Sequence, residues 1–260
     1  MLIIKNRIPN AGSAKDMMRR LQSYINPIDP DWFQNLKPSS EETIKKWERK
    51  LHLEEKKLKF PFSYLEFLRH AGEEDGGLFE NTLHAKMGLE SQLAYKWRIG
   101  INESDVLHPY CFEFIETMDL GIPYTMNLAE NNEKIFVDMS VEFSSSFENL
   151  LFQCAVEIYE KKYFSSYVNF ISNEDRFFNL DILKQGKALF PIIDKIVEEN
   201  SLQKAWFSDD LFYFAYSDKM SLLINGREAG FRGMIFFNEK GDIVSVENGL
   251  ISKIGAVIYY

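Results

Sequence analysis

The side chains of this sequence best suited to chemistry gather in "RHAGEEDGGLF", positions 69–79. Three acids, Glu73, Glu74 and Asp75, stand between Gly72 and the pair Gly76 and Gly77, with His70 before them and His84 after. Carboxylates beside imidazoles suit a hard cation or general acid–base work. Yet His52, His70, His84 and His108 show no pairwise ligand spacing. The glycines follow neither phosphate-cradling pattern, and three negative charges repel a phosphate. The plainer reading is exposed acids on a glycine-rich turn. Cys111 and Cys154 fit no metal or redox spacing, and Cys154 falls on the apolar stripe of a helix. "LFYFAY" (211–216) offers a stacking platform for bases, but Asp209 and Asp210 precede it, and a strand packed on both faces accounts for it better. "REAGFRG" (227–233) reads as a hairpin connection. Without a nucleophile–base pair, a metal set or a phosphate loop, no catalytic residue, metal or cofactor is assigned, and the expectation is a protein that is not an enzyme.

Charge points instead to binding. The net charge of −9 opposes nucleic acid as a direct ligand, because phosphate affinity comes mostly from Lys and Arg. Residues 100–160 carry twelve acids and one base, Lys134, whereas residues 37–69 carry nine bases and six acids. A solubilising surface is the bland alternative, but such surfaces mix both signs. A one-signed patch raises the encounter rate with an oppositely charged protein by up to ~10³-fold at low salt. The implied partner is basic. Its candidate contacts are Glu73, Glu74, Asp75, Glu130, Glu133, Asp138 and Glu142, with Trp97 as an aromatic anchor or, on the plainer reading, a buried core residue.

Elements must position these groups. A short helix is expected over 14–24. Ser39 with Glu42 forms a capping box for a helix marked by Ile44, Trp47 and Leu51. Pro61 opens the next helix, Tyr64, Leu65, Phe67 and Leu68 make its stripe, and Gly72 stops it. Alternation over 122–128 predicts a half-buried strand; 134–139 and the neighbourhood of Phe112 and Phe114 predict two more. Ser145 with Glu148 caps a helix carrying Phe147, Leu150, Leu151, Cys154 and Ile158. Beyond a boundary near 162–175, a helix over 181–199 contains Pro191, which predicts a kink or two shorter helices. Runs at 206–216, 220–225, 231–238, 242–247 and 251–259, separated by "NG", "NEKGD" and "NG", predict an antiparallel meander. The apolar run of "MLIIKNRIPN" is too short for a leader, and no apolar stretch reaches the ~18 residues of a membrane span. With two widely spaced cysteines, a reducing, cytoplasmic setting is expected.

Several of these features recur in a familiar order: Glu48 and Leu51; Pro61, Tyr64, Phe67 and Leu68; Gly72, Gly76 and Gly77; an alternating strand after Gly121; "IFVDM"; and the helix opening Ser145, Ser146 and Phe147. Over 39–162 the chain thereby resembles the SUKH superfamily, the bacterial immunity relatives of a yeast cell-wall regulator. The resemblance implies an α+β domain without catalytic activity, a SUKH-like antiparallel or mixed sheet flanked by helices. It implies an antidote that binds the effector domain of a cognate secreted toxin, often a nuclease, or else a non-catalytic adaptor that binds a peptide. Residues 1–38 are then an N-terminal extension, and 163–260 a second α+β unit with the meander. That unit is a second immunity domain, a dimerisation unit or an extension of the binding surface.

Overall fold

Short-range chemistry sets the first helices. The computed structural model describes residues 7–90, 92, 101–102, 110–128, 133–137, 141–171, 182–226 and 232–259. Helix α1 (Met17–Ile25) turns Met17, Met18, Leu21, Tyr24 and Ile25 inward. Helix α2 (Glu41–Lys50) is capped one residue later than expected: Ser40 accepts from the Thr43 N–H at 3.0 Å. Ser39 is released for a different task, described below. Acids in the first turn of α2 and bases in its last match the helix dipole. Helix α3 (Phe62–Ala71) follows Pro61 and buries Tyr64, Phe67, Leu68 and Ala71. It ends at Gly72 with φ −69°, an ordinary helical angle. The glycine is needed there for space, since a Cβ would stand 2.3 Å from the Ser39 hydroxyl.

The chain is α+β and divides into two compact units, Gly12–Ile158 and Met1–Ala11 with Tyr159–Tyr260. In the first, β1 (Leu36–Lys37) pairs with β2 (Glu74–Asp75), and α4 (Leu78–Leu83) follows directly. A five-stranded sheet then runs in sequence order: β3 (Ile101–Asn102), β4 (Cys111–Glu116), β5 (Pro123–Asn127), β6 (Ile135–Val137) and β7 (Val141–Ser144). All its pairings are antiparallel, with a bulge in β4 between Glu113 and Ile115. Strand β5 is central and corrects the half-buried expectation: Thr125 and Asn127 are buried along with Tyr124 and Met126.

The core of this unit is aromatic. Phe147, the first residue of α5 (Phe147–Tyr163), has its ring centroid 5.1 Å from Tyr64, 5.3 Å from Phe67 and 5.7 Å from Phe114. Edge-to-face geometry at such spacings adds about 0.5–1.5 kcal/mol per pair beyond burial. Ser146 accepts from the Asn149 N–H at 3.1 Å, so the cap of α5 also falls one residue later than Ser145.

The second unit holds a six-stranded antiparallel sheet in the order β13-β8-β12-β11-β10-β9. Its strands are β8 (Ser166–Ile171), β9 (Gln203–Lys204), β10 (Phe212–Tyr216), β11 (Met220–Asn225), β12 (Arg232–Phe237) and β13 (Val257–Tyr259). The meander is real in β10–β11–β12. Strand β8 falls in the stretch taken as a boundary; Val168 and Phe170 point into the core, an alternation visible in "SYVNFI". Pro191 does not split α6 (Ile182–Glu199), which runs as one helix. The runs at 242–247 and 251–254, expected as strands, belong to helix α7 (Val244–Ile254) after a 3₁₀ turn at Lys240–Asp242. Ile243, Val246, Leu250 and Ile254 repeat at helical spacing and pack with α6 on one face of the sheet. Gly249, expected in a turn, lies mid-helix, where a Cβ would come within 3.2 Å of Ile196.

Arg7 is fastened into this unit. Its guanidinium donates to the Glu160 carboxylate and lies 4.5 Å from the centre of the Tyr163 ring. Ser221 donates its hydroxyl to the same carboxylate, and Pro9 accepts from the Trp206 indole N–H at 2.9 Å. Glu160 is fully buried, and these donors satisfy its charge.

Candidate binding cleft

The acidic run 73–75 is not loose. Glu73 N–H donates to the Lys37 carbonyl at 2.9 Å, Leu89 N–H to the Gly72 carbonyl at 3.0 Å, and Leu36 and Lys37 pair across from Asp75 and Glu74. Gly76 and Gly77 take φ +67° and +80°, a region that favours glycine. At Gly76 a Cβ would also meet the Trp32 indole at 2.5 Å.

The three acids do three different things. Asp75 is 6% exposed and points inward, accepting from the N–H of Gly77 and of Phe79, each at 2.9 Å. Burial pushes its carboxyl above the usual range, while those backbone donors pull the other way. This corrects its place among the partner contacts: its carboxylate holds the turn that leads into α4. Glu73 is half-buried and braced, accepting from the Ser39 hydroxyl at 2.6 Å and the Glu90 N–H at 3.1 Å. Glu74 is exposed, with Lys37 Nζ at 3.8 Å.

These residues form one wall of a cleft of about 1280 Å³. Gln34, Asn35, Lys37, Glu80, Lys86, Glu90 and Gln92 complete the polar lining. Glu80 and Glu90 have no cation partner among the described residues. Gln92 is 9% exposed, and its side-chain carbonyl oxygen is buried without a hydrogen-bond partner among the described residues. Periodicity gave no sign of Glu80, Glu90 or Gln92, because the cleft joins segments far apart in sequence. Ser39 and Glu73 are 34 residues apart.

Folding pairs several described acids of the block with cations. Glu160 pairs with Arg7, Glu148 with Arg20, and Glu142 with Lys134 at 2.7 Å. Arg7 and Arg20 come from far outside the block, so the local count of twelve to one overstates its field. Glu133 is half-buried and accepts from the Ser63 hydroxyl at 2.7 Å. Burial raises its pKa, the Ser63 bond opposes this, and Glu148 nearby adds to it. Glu116 and Asp119 are exposed. Trp97, Glu130 and Asp138 lie outside the described residues.

The other candidates for chemistry also have places. Cys111 and Cys154 are both buried free thiols. His70 is 2.8 Å from the Glu66 carbonyl within its own helix, and His84 ends α4 at φ +50°. Among the described residues no group of three His, Cys, Asp or Glu side chains is placed to hold a metal ion. None of their helices is long and apolar enough to cross a membrane. A second groove, of about 1150 Å³, lies between α2 and α3 over Leu53, Leu58, Phe60, Phe62 and Leu65.

No family model, no curated protein and no solved structure matches this chain.

Proposed function

We propose that this protein is an immunity protein of the SUKH type, which neutralises a cognate toxin by binding its basic effector domain, commonly a nuclease, and occluding it without covalent chemistry. The observation that carries the reading is the braced loop of residues 72–77. It holds Glu73 in a fixed orientation and leaves Glu74 outside, on the wall of a cleft that also carries Glu80 and Glu90. Acceptors fixed before an encounter lose little freedom in it, which favours tight and selective binding. Acidic groups on a rim also steer a basic partner at low ionic strength. With Glu142, Glu148 and Glu160 already paired to cations, the reading rests on this cleft rather than on residues 100–160.

The test is co-expression with the effector domain encoded beside the gene. Growth restored by this protein supports the reading; arrest as severe with the protein as without it overturns it. The apolar groove between α2 and α3 favours a second reading, an adaptor that holds a peptide there. That reading predicts modest affinity and a partner that is not toxic.

A further inference from the structure

We propose that the cleft beside the 72–77 loop is a receptor for one arginine side chain of the partner, with Glu73, Glu90 and the Gln92 carbonyl as the acceptors. The assignment rests on the binding role proposed above and names the chemical group that this site takes. Two independent observations carry it. The first is charge: Glu73, Glu74, Glu80 and Glu90 line the cleft against Lys37 and Lys86, so its balance is negative, and Lys37 is already engaged with Glu74. The second is the orphaned oxygen of Gln92, which lines the same cleft. A buried acceptor without a donor destabilises a fold, and a ligand that brings a donor relieves that cost.

The acceptors select the ligand. An anion is repelled. A bare metal ion would need carboxylates converging on one point, and both oxygens of Glu73 already accept hydrogen bonds from Ser39 and from the Glu90 N–H. These bonds leave lone pairs on each oxygen, enough for a further donor. A guanidinium offers five N–H groups in a planar fork and sheds water more readily than an ammonium, so it can reach two carboxylates and an amide oxygen together. Lysine, a compact and strongly hydrated ammonium, offers no planar fork.

The experiment is a titration of the full chain with N-acetyl-arginine amide, followed by ¹H–¹⁵N NMR. The backbone amides of Gly76, Gly77 and Glu90 and the side-chain amide of Gln92 are expected to shift and saturate. N-acetyl-lysine amide should bind several-fold more weakly. Glu90→Gln, which keeps a side-chain oxygen for the Thr43 hydroxyl 3.4 Å away while removing the charge, should weaken the arginine probe roughly tenfold. Gln92→Leu should do the same while raising the melting temperature, an opposite pair of effects that a purely structural glutamine would not give. Absence of saturable shifts, or arginine binding unchanged in both variants, overturns the assignment. If the probe fails while co-expression still protects cells, only the arginine site falls. If the probe binds and protection fails, the antidote role falls and a guanidinium site remains.

Discussion

Arg7 shows how much one side chain can decide. It is buried, its guanidinium pairs with fully buried Glu160, and the Tyr163 ring covers it. Removing one member of such a pair strands the other charge, so Arg7→Ala should lower unfolding free energy by about 3–5 kcal/mol in denaturant melts. Arg7→Lys should recover little, because an ammonium loses the planar contact with Tyr163. Glu133 makes a prediction about pH. Its folded pKa is raised above the ordinary value of 4.5, chiefly by burial. As pH falls through the raised value, the folded state takes up the proton before the unfolded chain does, so this group favours folding increasingly toward acid; that contribution is lost as pH rises. Urea midpoints at about pH 5 and about pH 7 should differ less in Glu133→Gln than in the parent, and an identical difference would refute the assignment. Neither partnership was legible beforehand. Glu160 and Glu133 counted as members of an acidic run, since a linear tally cannot see a cation that arrives from 153 residues away.

Elements were legible where period and punctuation agreed. Helices α2, α3 and α5 form where stripe and cap signals coincide, displaced by one residue at two caps because adjacent serines compete and tertiary contacts choose between them. Helix α7 misled because "NG" resembles a hairpin turn, while the helical spacing of Ile243, Val246, Leu250 and Ile254 spans it. Strand β8 was hidden because it directly follows a long helix, at the expected boundary between the units, although its alternation was present. The cleft was only half visible: the loop announced itself through its glycines, but its opposite wall depends on folding. One close approach in the later sheet yields a sharp test. A Cβ on Gly233 of β12 would sit 2.1 Å from the Phe170 ring of β8. Gly233→Ala should cost about 1–3 kcal/mol by overpacking, and Phe170→Leu in the same chain should restore part of it. If the double variant is no more stable than Gly233→Ala alone, the steric account fails.

At the scale of the whole molecule, three acids of residues 100–160 are matched by cations, two of them from the first twenty residues, and the division into two units does not follow chain order. The first eleven residues group with Tyr159–Tyr260, whereas Gly12–Ile158 forms the other unit. Deleting residues 1–11 removes Arg7 and the Pro9 carbonyl that receives Trp206. Hydrogen exchange should then quicken in strands β8 to β12 and remain near its original rate in α3 and β5; uniform acceleration would contradict the grouping. This arrangement also bears on birth at the ribosome. The interior unit is fully translated while its flanking segment still lacks any mate, and at typical elongation speeds roughly 5–20 s pass before the remaining hundred or so residues emerge. Glu160 and Tyr163, the mates of Arg7, come early in that interval, whereas Trp206 and Ser221 come later, so the clasp around Arg7 and Pro9 closes in stages.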